Sequence, residues 1–287
     1  MTVSKIPFTK QQKRDIIREY QNGTAISILA KKYNVTYHKI HHMFKLLKIP
    51  LDKTRMRVSK YTINHHYFDV IDNEHKAYWL GFLYADGYNS EDKNYIRIHL
   101  HHKDVEILIN FLRDLNSSHK ISYINETVGH AKSCKIEISS KQISKRLAEL
   151  GCFQKKSLTL KFPTEQQLPR QFISHFLRGL WDGDGEVAIT KPWNYPRVAL
   201  YSSKLLCDEL QKILQKSYNV DARLTKMRNP LNMCLYIAGG KVGIKNFLNW
   251  LYRDATVKLD RKYQKYLQIL EIPNRKKRVQ SQLKHPS

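Results

Sequence analysis

The chain has 287 residues, enough for one large domain or two to three small ones with a sizeable buried core. Lys and Arg number 50 against 25 Asp and Glu, a formal net charge of +25 spread along the whole chain, which points to a polyanionic partner held by counterion release and weakened by salt. The longest apolar run, Ala77 to Ala85, falls well short of the roughly 18 residues of a membrane span, and neither a basic amphipathic helix nor a signal-peptide core is visible, so a soluble intracellular protein without a membrane partner is expected.

The first predicted element is a helix opened by a capping box, Thr9 with Gln12, with Ile16, Ile17 and Tyr20 at helical spacing and Gly23 as its stop. A short second helix, Ala25 to Lys32, carries Ile28, Leu29 and Ala30. It turns at Tyr33-Asn34-Val35 into a third helix, Thr36 to about Leu47. This is helix-turn-helix spacing. Ile40, Phe44 and Leu47 are expected to face inward, leaving Tyr37, His38, Lys39, His41, His42 and Lys45 outward, where a recognition helix meets a major groove. Residues 1–50 are thus read as an all-α DNA-binding domain and 51–73 as a linker, basic at Lys53, Arg55, Arg57 and Lys60.

Two passages with the same order of elements follow. In the first (74–165) a helix from Glu74 to Asp86 leads to a strand at Tyr95–Leu100, a helix at Asp104–Leu115, strands near Ile121–Asn125 and Cys134–Ile138, and a helix from Lys141 to Leu150 ended by Gly151. In the second (166–273) a helix from Gln171 to Asp184 precedes strands at Glu186–Ile189 and Arg197–Tyr201, a helix at Lys204–Gln215, strands at Ala222–Lys226 and Cys234–Ile237, and a helix at Val242–Tyr252. Residues 274–287 read as a basic tail. The fold class is α+β: two pseudo-symmetric αββαββα halves, each with an antiparallel four-stranded sheet, and a small helical domain ahead of them.

Each half begins with one local pattern, Gly81-Phe82-Leu83-Tyr84-Ala85-Asp86-Gly87 and Gly179-Leu180-Trp181-Asp182-Gly183-Asp184-Gly185. On an apolar helix the first Gly lets another backbone approach. The Asp falls at the helix C-terminus, where the macrodipole disfavours a negative charge, and the last Gly is expected to take a left-handed cap that turns the chain into a strand. These motifs, with the approach Tyr67-Phe68-Asp69 through Ala77-Tyr78-Trp79-Leu80-Gly81-Phe82, resemble those of the single-chain LAGLIDADG homing endonucleases over about residues 67–272.

The resemblance implies that the motif helices pack side by side at a pseudo-two-fold axis while the two sheets form a saddle over DNA. Asp86 and Asp184, with Gly87 and Gly185 in the same metal sites, match the family's metal-binding positions. They would hold Mg²⁺ near the scissile phosphates. Basic helpers of the reaction are sought at Lys156, Arg261 and Lys262. Asp182, whose first-half counterpart is Tyr84, reads as a helix-end residue rather than a ligand. Alternate strand residues facing the saddle, Arg97, His99, Lys135, Arg197 and Arg223, with Lys226 and Arg228 beyond, are candidate DNA contacts. The implied protein is a monomeric Mg²⁺-dependent endonuclease that cuts double-stranded DNA at a long asymmetric site and leaves 3′ overhangs.

Two rivals share the scaffold: a maturase that binds intron RNA, and a non-cleaving transcription regulator. The helical N-terminal domain favours duplex DNA over A-form RNA, whose major groove is too narrow for a helix, and the presence of both acids favours the enzyme. The 13 histidines and four cysteines lack the spacing of a zinc finger, a zinc ribbon or a disulfide framework.

Overall fold

A computed structural model describes residues 8–51, 61–129, 131–154 and 159–274. The chain divides into two compact units, residues 1–62 and 63–287. The basic linker positions Lys53, Arg55, Arg57 and Lys60, the C-terminal tail and Lys156 lie outside the described residues.

In the first unit, helix α1 (Lys10–Gln21) is closed by the Thr9–Gln12 capping box, α2 spans Ile26–Lys32 and α3 spans Tyr37–Leu46, capped by the Thr36 side chain. Ile16, Tyr20, Ile26, Leu29, Ala30, Ile40, Met43 and Phe44 form a separate core. One expectation is corrected. Leu47 is exposed; α3 stops at Leu46, Lys48 takes a positive φ, and Met43 fills the inward stripe beside Ile40 and Phe44 at i, i+3, i+4 spacing.

The second unit holds both repeats. The first contains α4 (Glu74–Asp86), β1 (Gly87–Ser90), β2 (Tyr95–His101), α5 (Val105–Asp114), β3 (Ser122–Ile124), β4 (Ser133–Ser139) and α6 (Lys141–Glu149). The second contains α7 (Ile173–Asp184), β5 (Gly185–Thr190), β6 (Tyr195–Ser203), α8 (Lys204–Tyr218), β7 (Ala222–Lys226), β8 (Asn232–Ile237), α9 (Gly240–Tyr252) and α10 (Asp260–Glu271). The sheets have matching orders, β1-β2-β4-β3 and β5-β6-β8-β7, with every pairing antiparallel. Two α+β halves are therefore present as expected. Strand β1 and helix α10 escaped the pattern: Gly-Tyr-Asn-Ser has turn composition and is a strand because β2 pairs with it, and α10 buries only Lys262, Tyr266 and Ile269.

Along β2 and β4 the side chains alternate. Ile96, Ile98, Cys134, Ile136 and Ile138 turn into the core while Arg97, His99, Lys135 and Glu137 turn outward. In the second half Val198, Leu200, Leu235 and Ile237 are the inward set. One continuous core runs through both halves and takes in both motif helices. All four cysteines are buried free thiols.

Candidate active site and nucleic-acid interface

Helices α4 and α7 touch backbone to backbone. A Cβ on Gly81 would collide with the Phe176 carbonyl and lie 2.9 Å from the Leu180 nitrogen; on Gly179 it would meet the Tyr78 carbonyl and lie 2.8 Å from the Phe82 nitrogen. Each glycine is thus the recess for the other helix. Farther along, Ala85 faces Gly183, and a Cβ on Gly183 would stand 3.3 Å from Asp86 Oδ2. The pairing carries both helices to a common end, where Asp86 is partly buried and Asp184 exposed.

The glycines that follow the acids are not left-handed caps. Gly87 has φ −80°, ψ 140° and Gly185 φ −83°, ψ 154°, extended values open to any residue. Space selects glycine here: a Cβ would lie 2.5 Å from the Leu83 carbonyl oxygen at Gly87, and 2.6 Å from the Trp181 carbonyl oxygen at Gly185.

Lys262, from α10, reaches into this end. Its Nζ lies 2.6 Å from the Trp181 carbonyl oxygen, 2.8 Å from that of Asp182, 3.2 Å from that of Gly183 and 2.6 Å from that of Gly185. The ammonium closes the negative pole of α7 and relieves the field that disfavours Asp184 there. Burial pushes the Lys262 pKa down to about 8, and the Asp182 charge, with Asp86 and Asp184 farther off, keeps it from falling more. The Gly185 carbonyl is occupied by this ammonium, so the glycine's visible task is to seat Lys262. Arg261, one residue earlier, turns away and pairs at 3.1 Å with Asp104 of the first half. Arg261, Lys262 and Lys265 line a hollow of about 430 Å³ beside Gly185. Sequence reading missed Lys265; a helical reading of 260–271 places it one turn from Arg261.

Asp182 is fully buried and accepts hydrogen bonds from Tyr78 Oη at 2.9 Å, Tyr252 Oη at 2.5 Å and the Leu259 amide at 2.7 Å. Burial raises its pKa, with Lys262 and the three donors opposing the rise. It joins α4, α9 and the start of α10. At the matching position of the first half Tyr84 donates instead to the Leu150 carbonyl at 2.5 Å, and Cys152 donates to the Leu83 carbonyl at 3.3 Å, the counterpart of the Trp181 oxygen that Lys262 holds.

Asp86 and Asp184 offer hard oxygen donors. Among the described residues no group of three or more His, Cys, Asp or Glu stands where it could hold a metal ion. A divalent cation at the paired acids therefore needs phosphate and water oxygens to complete its shell, which suits a site that assembles on a polyanion.

The outward sheet faces carry arginines that are already oriented. Arg97 Nε lies 2.9 Å from Glu137, and its guanidinium stands 5.6 Å and 5.4 Å from the rings of Tyr88 and Tyr95. Lys135 pairs with the same Glu137 at 3.3 Å, and His99 bonds Ser133 at 2.9 Å. In the second half Arg197 pairs with Glu186 at 3.3 Å and Arg223 with Asp221 at 3.0 Å. Arg197, Arg223 and Lys226 share a groove of about 820 Å³ across the second sheet. Lys226 has the strand parity of buried Ala222 and reaches solvent because β7 ends there; Arg228 lies exposed in the loop beyond. In the first unit His38, His42 and Lys45 are exposed on α3, while Tyr37 and Lys39 are half-buried, Tyr37 against the small core.

Residues 171–249 match the family described as a LAGLIDADG-like domain. Similar solved structures include the LAGLIDADG meganuclease I-AabMI bound to uncleaved DNA, 16% identical over 69% of this chain and 90% of that one with a TM-score of 0.46. The meganuclease I-SmaMI bound to uncleaveable DNA is 11% identical over 68% and 88%, TM-score 0.44. Full-length DUF199/WhiA from Thermatoga maritima is 19% identical over 73% and 66%, TM-score 0.44. No curated protein matches the chain. Residues 171–249 match a LAGLIDADG-like domain, and residues 74–149 repeat the order of helices and strands seen there, so the second unit holds two α+β halves of one construction.

Proposed function

We propose that this protein is a site-specific endonuclease that hydrolyses both strands of duplex DNA with Mg²⁺. The observation that carries this reading is that α4 and α7, packed glycine to backbone, each end on a motif acid on the same side, a Cβ on Gly183, the residue before Asp184, falling 3.3 Å from Asp86 Oδ2. Stability alone does not place a carboxylate at a helix C-terminus in both halves.

Asp86 and Asp184 would each help hold Mg²⁺ against one scissile phosphate. The bound ion supplies an activated water and offsets charge on the leaving oxygen. Lys262, fixed by four carbonyls, presents positive charge to the same place, and Lys156 is the first-half candidate for that role. Arg261 acts as a clamp between halves through Asp104.

The outward faces of the two sheets form the DNA saddle, with Arg97, His99, Lys135, Arg197 and Arg223 toward the grooves and Lys226 and Arg228 at the rim. The N-terminal unit places Tyr37, His38, Lys39 and His42 of α3 against a further stretch of major groove. Both halves lie in one chain and differ in their outward residues, so a monomer acts on a long asymmetric site.

The test incubates purified protein with DNA from the locus around its own gene, and with the same locus lacking that gene, in Mg²⁺ or EDTA, beside Asp86→Asn and Asp184→Asn. Metal-dependent double-strand breaks lost in both variants support the proposal. Salt-sensitive binding without cutting on every DNA overturns it in favour of a regulator, and preference for RNA in favour of a maturase.

A further inference from the structure

Lys262 is carried to α7 by a stretch of second-half chain, residues 253–262, that is fastened by residues of the first half. Glu74 Oε1, on the first residue of α4, accepts from the Thr256 amide at 2.8 Å and the Val257 amide at 3.4 Å. His75 Nε2 lies 3.0 Å from Thr256 Oγ1. Tyr78 Oη and the Leu259 amide both donate to Asp182 Oδ2, at 2.9 Å and 2.7 Å. Asp104, at the start of α5, accepts from Arg261 Nε at 3.1 Å. Glu74, His75, Tyr78 and Asp104 all belong to the first half. The residue after Arg261 is Lys262, which grips four carbonyls at the end of α7.

The corresponding stretch of the first half is held by its own half. The Leu150 carbonyl accepts from Tyr84 Oη at 2.5 Å, the Cys152 carbonyl from Asn89 Nδ2 at 2.8 Å, and Gln154 Nε2 donates to Tyr88 Oη at 3.1 Å. Second-half groups meet this chain farther on. There the Leu160 carbonyl accepts from Ser203 Oγ at 2.9 Å and the Phe162 amide donates to Glu209 at 2.6 Å, along the connection that leads to α7. Distance limits how Glu74 can act. Glu74 and Asp86 are the first and last residues of α4, about 18 Å apart at about 1.5 Å per residue, so Glu74 is remote from anything bound at the acids. Burial would raise its pKa, yet the Thr256 amide and Arg178 hold its carboxyl below the usual range, and it stays charged. Hydrogen bonds to a charged carboxylate are the strong kind, and these fix residues 256 and 257 against α4 while Asp104 fixes residue 261.

We infer that Glu74 and Asp104 are positioning residues for the second-half site: from the first half they hold residues 256–261 so that Lys262 is delivered to the end of α7 that bears Asp184. The second site is thereby completed across the two halves. The inference rests on the proposed nuclease reading and adds that the two strands of the duplex depend unequally on this seam.

The experiment uses the duplex that the wild type cuts, labelled with a different dye on each strand, under single-turnover conditions with excess full-length protein and Mg²⁺. Lys262→Ala marks the strand cut by the second site as the one it slows more. Glu74→Gln and Asp104→Asn are expected to slow that same strand about tenfold or more, and the other by less than about threefold, the scale of a small misplacement near reacting groups. A singly nicked duplex then accumulates. The loss persists at saturating protein, so it lies in the chemical step and not in DNA binding. Loss of folded protein would slow both strands alike, which separates positioning from stability. Amide exchange in EDTA gives a second reading without metal or DNA: residues 256–261 exchange faster in Glu74→Gln, while residues 150–154 keep the wild-type rate. Asp104→Asn carries the strand test should Glu74→Gln not fold. Equal slowing of both strands in any of the three variants, wild-type rates on both, or unchanged exchange at 256–261 overturns the inference and leaves the nuclease reading intact. A wild type that binds DNA without cutting it removes the nuclease reading, and exchange alone then decides whether the first half holds this segment.

Discussion

Glu74 Oε1 lies 2.6 Å from Nη2 of Arg178, joining the first residue of α4 to the middle of α7 across the two halves. Arg178 is 1% exposed and donates as well to the carbonyls of Val257 at 2.9 Å and Leu251 at 2.8 Å. The matching residue of the first half is Leu80, so this polar bolt exists once. Arg178→Leu leaves the Val257 and Leu251 carbonyls without this donor and Glu74 with only the Thr256 and Val257 amides, and removal of one member of a buried pair typically costs about 3–5 kcal/mol. Denaturant unfolding should show that loss, and the double variant Glu74→Gln, Arg178→Leu should recover part of it. A double variant whose loss equals the sum of the two single losses would show that the pairing itself contributes nothing.

The glycine contacts lead to a stronger expectation. Gly81→Ala or Gly179→Ala drives a methyl group into backbone of the opposite helix, which has no rotamer by which to yield. Overpacking of this kind costs about 1–3 kcal/mol or more and displaces the acids at the shared end. Cleavage should fall further than stability predicts. Ala85→Gly, which only removes a methyl group facing Gly183, should cost about 1 kcal/mol through helix propensity and leave cleavage near normal.

Much of this was legible from the chain alone. Glu74–Asp86 and Ala222–Lys226 have the bounds read from the sequence, the first because an unbroken apolar run that ends at Asp-Gly marks a helix buried on all sides, the second because its residues alternate. The twin Gly-x4-Asp-Gly frames located the axis. Legibility failed where tertiary contact outweighs local pattern. Gly87 and Gly185 looked like positive-φ positions and are instead spaces for close backbone. The burial of Asp182 and Arg178 was not legible, since their partners Tyr252, Leu259 and Val257 arrive some 70 or more residues later. Lys262 was found only through the family resemblance, because α10 is largely polar.

His75 gives the fold a pH dependence. Its Nδ1 lies 2.5 Å from Asp114, which also accepts from Trp79 Nε1 at 2.6 Å, and its Nε2 lies 3.0 Å from Thr256 Oγ1. The hydrogen bond to Asp114 raises the His75 pKa against the opposing effect of burial, and Glu74 adds to the rise while Arg113 works against it. A folded-state pKa above the unfolded value of about 6.5 means that the charged pair stabilises fully below that pH and is lost as pH climbs through the raised value. The wild type should therefore lose melting temperature relative to His75→Gln as the pH climbs above about 6.5. Parallel curves for the two proteins would show that His75 stays neutral throughout. With His75 about one third exposed, the effect is a small one.

The N-terminal unit has its own core, Ile16, Tyr20, Leu29, Ile40 and Phe44 among it, separate from the one that spans the two halves. Two cores without shared residues melt independently unless an interface couples them. A chain beginning at Tyr61 should thus show the same upper calorimetric transition as the full protein, and the full protein should show one additional, smaller transition. If α3 reads a further stretch of duplex, the shortened chain should keep Mg²⁺-dependent cleavage at high DNA concentration while requiring more DNA to reach half-saturation, a loss in KM rather than in kcat. Salt separates specific reading from simple charge. Loss of phosphate contacts alone should lower affinity for all sequences alike and flatten the salt slope, whereas loss of base contacts by residues such as His38 and His42 should also shorten the set of positions at which a base-pair change matters. A shortened chain with unchanged affinity, slope and sequence preference would remove DNA from the role of this unit and leave its exposed α3 face to another partner.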